Sequence, residues 1–225
     1  MEIRVMQTAA FKAAYDELVP QFERASGHTV TTLWTPSVEM MRKLKDGEAV
    51  DVVIMSATAI DELHALGKVG ARADLATCGI GVAVRAGAPK PDISSGDALK
   101  RAVLAAKSVV YSTGPSGIYL KDLFERWGIS AAIQPKLVVV KGEPAGAVAA
   151  RGDAEIAFQQ VCELLPVPGI ELVGPLSADI QKITTFSSAV HAHASQPAAA
   201  AELIRYLTAA AAAPAIRKAG MTPAA

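Results

Sequence analysis

The chain has 225 residues, more than one ordinary domain needs and few for two independent ones, so two intertwined lobes of about 100 residues each would fit. Hydrophobic residues make up 51% and aromatics only 5%, which calls for an aliphatic core of Ala, Val, Leu and Ile. Formal net charge is zero, without a basic run or an apolar stretch near the roughly 20 residues of a membrane span; this argues against nucleic acid, an anionic membrane surface or membrane insertion.

The chain opens Met1-Glu2-Ile3-Arg4-Val5 and runs directly into a strand pattern over 3–6, with no signal-like segment. That places it in the cytoplasm if Met1 is the native start, and in the periplasm if this is a trimmed mature form. Phe11, Ala14, Tyr15, Leu18 and Phe22 then recur at helical spacing, and Gly27 provides the stop. A strand over 30–34 precedes a short helix over 38–44. The near-continuous apolar run 50–55 reads as a buried parallel strand, followed by a helix over 60–66 that Ser56 or Thr58 can cap. Residues 79–85 read as a strand and the Gly-Ala-Pro-Lys-Pro segment after it as a loop. A helix follows over 97–107, a strand over 109–111, a helix over 118–127, a strand over 137–140 and a short helix over 145–151. The strand 156–159 leads to a short helix near 162–165. Strands over 170–173 and 184–192 and helices over 197–209 and 213–219 complete the pattern.

Strands alternating with helices define an α/β protein built on parallel sheets with crossover helices. The expected architecture is two Rossmann-like lobes joined by a hinge of two crossings, with a ligand cleft between them. Residues 1–82 plus 185–225 form the first lobe and 83–184 the inserted second. The crossings fall near 82–85 and 185–190, where few backbone dihedrals need change to open or close a cleft.

Four strand ends run into helix starts made of small, hydroxyl-bearing or glycine residues: Thr8-Ala9-Ala10, Thr35-Pro36-Ser37, Gly114-Pro115-Ser116-Gly117 and Glu143-Pro144-Ala145-Gly146. A helix N-terminus presents unpaired N–H groups and partial positive charge, so it takes an anion without a charged side chain. In an open parallel sheet such termini gather beyond the carboxyl ends of the strands. Each junction alone is also an ordinary capped turn; together they point to a pocket for a small anion. Tyr111, Ser112 and Thr113 end a strand and can line its wall, while Tyr119 reads better as a core contact. Of the adjacent Gln159 and Gln160 only one can face the pocket. Lys141 can neutralise a carboxylate, and Glu143 can act as a general base if it faces the cleft; both also read as solvated loop charges, as does Arg42 on its helix.

The segments "AVDVVIMSATAIDELHALGKV", "MMRKLKDGE", "PSGIYLKDLFERWGI" and "QFERASGHTV" resemble the corresponding parts of type II periplasmic binding proteins, and most of all the molybdate-binding group. The resemblance spans nearly the whole chain. It implies a solute-binding protein that takes a small carboxylate or tetrahedral oxyanion and serves an ABC permease. By position it implies ligand contacts from Thr8, Ala9 and Ala10, from Ser37, and from Thr113, Ser116 and Gly117. The family's ligand serine at the first helix start is replaced by Ala10, its donor at a later helix start falls near Pro144 or Ala145, and its oxyanion-capping tyrosine is replaced by Gln160. Aconitate isomerases resemble the chain in overall pattern as well, and imply an alternative: a cytosolic isomerase of a polycarboxylate in which Glu143 or Lys141 moves the proton.

No nucleotide-binding glycine fingerprint or nucleophile elbow occurs, and no cofactor is expected. His191 and His193 have the spacing of a metal pair on a strand, but no third ligand stands near, so no metal is assigned. Cys78 and Cys162 form a disulfide only if the fold brings them together.

Overall fold

The computed structural model describes residues 1–224. In chain order the first elements are β1 (Glu2–Gln7), a 3-10 turn (Ala9–Phe11), α1 (Lys12–Ser26), β2 (Thr29–Trp34), α2 (Ser37–Lys45), β3 (Val52–Ser56), α3 (Ala57–Ala65) and β4 (Ala73–Arg85). They are followed by α4 (Gly96–Ala105), β5 (Val109–Ser112), α5 (Pro115–Arg126), α6 (Ser130–Ile133), β6 (Leu137–Val140), α7 (Ala145–Ala150), β7 (Ile156–Gln160), α8 (Val161–Leu164) and β8 (Ile170–Pro175). The last are β9 (Ile183–Val190), α9 (Pro197–Thr208), α10 (Ala213–Lys218) and the two-residue β10 (Thr222–Pro223). The expected elements are all present, with ends shifted by a few residues. β4 is the exception: it begins at Ala73 rather than Gly79, because its first half pairs with β10, which the sequence pattern does not announce.

The chain divides into two α/β units. One is Met1–Cys78 together with the chain from Thr184 onward; the other is Gly79–Ile183. In the first, β1 lies between β2 and β3 and is parallel to both, in the register Ile3↔Val30 and Val5↔Val52. β9 runs antiparallel to β3, with Ile54 opposite Ser188. The fully buried face of α1 carries Ala14, Tyr15, Leu18 and Phe22, and the helix ends at Gly27, whose φ of 71° is the left-handed cap that glycine takes without strain. Met6, Met40, Leu44, Val53, Met55, Ile60 and Leu63 form one aliphatic core cluster in this unit. Each such fully buried side chain is worth about 1.5–3 kcal/mol of transfer free energy.

In the second unit β5 lies between β6 and β7 and is parallel to both. β7 runs antiparallel to β4, Ile80 opposite Gln160, and β8 also pairs antiparallel with β4. Its main core gathers Leu99, Val103, Leu120, Leu123, Phe124 and Phe158, with Phe124 against Phe158 edge-on at 6.2 Å. A smaller cluster of Val110, Val140, Val148 and Ala157 seats α7.

Asp51 is a buried tie in the first unit. Its carboxylate accepts from Arg4 N (2.8 Å), Ser195 Oγ (3.0 Å) and Gln196 N (2.9 Å), binding the entry to α9 onto the sheet. Burial acts to raise the Asp51 pKa, but these hydrogen bonds outweigh it and hold the carboxyl below its ordinary value. The stabilisation is therefore present above the unfolded-state pKa of about 3.9 and is lost as pH falls through the folded value. Asp51→Asn is expected to cost roughly 2 kcal/mol at pH 7, with a deficit that shrinks towards pH 3, as read by denaturant unfolding at both pH values.

Candidate functional site

In the first unit the parallel direction of β1, β2 and β3 brings their carboxyl ends to one edge. There stand the starts of the 3-10 turn at Ala9, of α2 at Ser37 and of α3 at Ala57. Thr8 is half-buried, Ala9 exposed, Ala10 buried and Ser37 half-buried. Neither the Thr8 nor the Ser56 side chain caps its own helix, and the N-cap of α2 is Pro36, which leaves the Ser37 hydroxyl uncommitted to capping. The Thr8 amide points at Ile54 O (3.3 Å), so the donors at this corner are the Thr8 hydroxyl and the first amides of the turn. Sequence reasoning missed Gln7. It ends β1 fully buried, and neither its Nε2 nor its Oε1 has a partner.

In the second unit the carboxyl ends of β5, β6 and β7 likewise share an edge. Gly114 precedes α5, and Ser116, 1% exposed, sits in its first turn with its hydroxyl unpartnered. The Thr113 amide is bonded to Val140 O (3.1 Å), leaving its half-buried side chain at the edge. Gly117 is required by close approach: a Cβ there would lie 1.6 Å from Ser112 O. Tyr119 donates its hydroxyl to Ile180 O (2.7 Å) and packs on the core, so it is structural. Arg42 is exposed and paired with Asp46 (2.9 Å).

At the end of β6, Lys141 is exposed, and Glu143 is clasped by Arg151, which bonds both of its carboxylate oxygens, Nη2 to Oε2 at 3.2 Å. The Arg151 hydrogen bonds hold the Glu143 carboxyl below the ordinary range. Pro144 has no N–H, and the Ala145 amide that opens α7 donates to Gln159 Oε1 (2.8 Å). Gln159 in turn donates from Nε2 to Glu163 Oε1 (2.9 Å). Gln160, 1% exposed, is the N-cap of α8, and its backbone N–H donates to the Glu163 carboxyl three residues on, the reach-back of a capping box. Burial pushes the Glu163 carboxyl up to about 7, against the pull of these two hydrogen bonds. Glu163 went unnoticed in the sequence because one glutamate in a four-residue helix makes no pattern.

The four histidines are dispersed in function. His28 pairs with Glu202 (3.3 Å), His64 bonds Val69 O and Gly70 O (3.1 Å each), and buried His191 faces His193. Among the described residues no three His, Cys, Asp or Glu side chains converge as metal ligands, and no helix is long and apolar enough to cross a membrane. Cys78 and Cys162 are buried thiols. An open cavity of about 690 Å³ lies at the opposite edge of the second unit, where β7 begins and β4 ends, floored by Ala98, Ala102, Ala154 and Ile156. Of its cations Lys90 is paired with Glu171 (3.1 Å), and no helix start of the parallel strands points into it.

Two α/β units with helix starts gathered at strand ends are the architecture of solute-binding proteins, and the family of bacterial extracellular solute-binding proteins matches residues 3–222. The chain belongs to that family. Its fold is that of the type II periplasmic binding proteins. It superposes on the periplasmic molybdate-binding protein of Azotobacter vinelandii with a TM-score of 0.77 at 17% identity, covering 98% of each chain. With the sulfate-binding protein SubI of Mycobacterium tuberculosis the TM-score is 0.80 at 18% identity, covering 99% of this chain and 87% of the other. In sequence it is 38% identical to an aconitate isomerase of a Pseudomonas species over 98% of this chain and 87% of the relative.

The Gly117 geometry has a measurable consequence. Gly117→Ala forces the first turn of α5 away from β5 and is expected to destabilise the chain by about 3 kcal/mol, read as a lower urea midpoint. Glu143→Gln, which removes an exposed ion pair, is expected to shift the same midpoint by less than about 1 kcal/mol.

Proposed function

We propose that this protein binds a small organic anion. In the first unit the contacts offered are backbone N–H groups with Gln7, Thr8, Ala9, Ala10 and Ser37, and in the second they are Thr113, Ser116, Gly117 and Gln160. The observation that carries the reading is a pair of buried orphans. Gln7 in one unit and Ser116 in the other each hold unpartnered polar atoms at the edge where helix starts gather. Leaving such a group unpaired costs about 1–3 kcal/mol, a penalty that a ligand lifts on binding. A bare tetrahedral dianion offers only acceptors. Gln7 presents an orphan acceptor as well as a donor, which favours a carboxylic acid carrying a hydroxyl or acid proton beside its charge. Family membership supports delivery of that solute to a permease of the ABC type.

A second reading is catalytic: isomerisation of an unsaturated polycarboxylate. It is supported by the 38% identity to an aconitate isomerase and by Glu163, a carboxyl of near-neutral pKa at the same edge. Glu143, ionised and clasped by Arg151, is poorly suited to take a proton, and Lys141 is exposed beside it.

Thermal melts against citrate, cis-aconitate, trans-aconitate, molybdate, sulfate and phosphate test the binding reading. A carboxylate is expected to stabilise the protein saturably, by about 2.7 kcal/mol at a hundredfold excess over Kd. Gln7→Met is expected to raise the ligand-free melting temperature while abolishing most of the ligand-induced shift, the signature of a group held for a ligand rather than for the fold. A panel with no shift for any anion would refute the reading.

A further inference from the structure

Glu163 stands at the carboxyl edge of the second unit and forms no ion pair among the described residues. Its hydrogen bonds come from Gln159 Nε2 and from the Gln160 amide, both neutral, and Gln159 is itself fixed by the Ala145 amide. The elements packed on α8 bring no charge to it. β7 reads Ile-Ala-Phe-Gln-Gln and α7 Ala-Gly-Ala-Val-Ala-Ala. β4 approaches through Gly81, where an added Cβ would lie 2.9 Å from Val161. The one charged side chain of its second half, Arg85, lies at the far end of the strand, as does Glu171 of β8. The other titratable group within α8 is the buried Cys162 thiol. The carboxyl is thus held by two neutral donors and, among the described residues, is paired with no cation, unlike Glu143.

We propose that Glu163 carries the proton in a 1,3-shift on an unsaturated polycarboxylate, an inference that rests on the isomerase reading above. Its carboxylate takes a proton from the saturated carbon beside a substrate carboxylate. The electron pair of that C–H bond becomes the new double bond, and the old double-bond pair moves to the far carbon. That carbon then takes the proton back from Glu163. One C–H bond breaks and one forms, no electrons are gained or lost, and the glutamate ends as it began. Burial pushes this carboxyl up to about 7, which makes it a stronger base than a free one and brings it nearer to the condition under which one group both accepts and returns a proton. Gln159 acts as a positioning residue.

The test follows interconversion of cis- and trans-aconitate by proton NMR, with binding read in parallel as thermal shift. The wild type is expected to interconvert the two acids, at a rate rising with pH and levelling above about 7. Glu163→Gln is expected to slow interconversion by about 10²–10⁴-fold with the thermal shift retained. Glu163→Asp is expected to keep a reduced rate. A working wild type whose Glu163→Gln variant interconverts the acids at the same rate overturns the role of Glu163 and leaves the isomerase reading standing. A wild type that interconverts neither acid overturns both. Should Glu163→Gln not fold, a Glu163→Asp variant with wild-type rate and unshifted pH profile overturns the role equally.

Discussion

The structure depends on a constraint of direction. In each unit a central strand, β1 or β5, is flanked by two parallel neighbours, and the chain can return to the start of the next strand only through a crossover, which here contains a helix. Every such helix therefore begins at the same edge. Amides that the helix itself cannot satisfy accumulate there, and their dipoles add without a single formal charge. A chain of net charge zero can hold an anion on these terms, and no basic cluster is needed.

The polar interior shows two different treatments. Asp51 is buried and fully engaged, and its bonds serve the fold. Gln7 and Ser116 are equally buried, and their side-chain atoms stand idle at the strand ends. The contrast is informative because the low dielectric that strengthens the first arrangement penalises the second. Groups left in that condition at one edge of each unit are the observation on which the binding proposal rests. The glutamates divide in the same way. Glu143 has a guanidinium across both oxygens, and Glu163 accepts only from neutral donors.

Much of this was legible in the sequence. The hydrophobic runs of β3 and β7, the helical spacing in α1 and the glycine that ends it, and the small-residue helix starts all follow local rules, and local rules sufficed for the α/β pattern and for placing Ser37 and Ser116 at helix starts. What escaped was set by contacts between distant segments. The first half of β4 owes its strand to β10, some 145 residues later by the Thr77↔Thr222 register. The Arg151 that immobilises Glu143 is eight residues away across α7, outside any helical pairing rule. Gln7 reads as the polar end of a strand, and only packing reveals that its amide is sealed in. Of the two glutamines ending β7, alternation allowed one at the pocket. It could not foresee that Gln159 would be engaged by the Ala145 amide.

That last bond also marks the start of α7 as different in kind. Proline supplies no amide there, and an internal glutamine takes up the next one. A helix terminus attracts an anion only while its leading amides are unspent. The small-residue helix starts of this chain are therefore not equivalent, and a hydrogen bond wholly inside the second unit sets the difference.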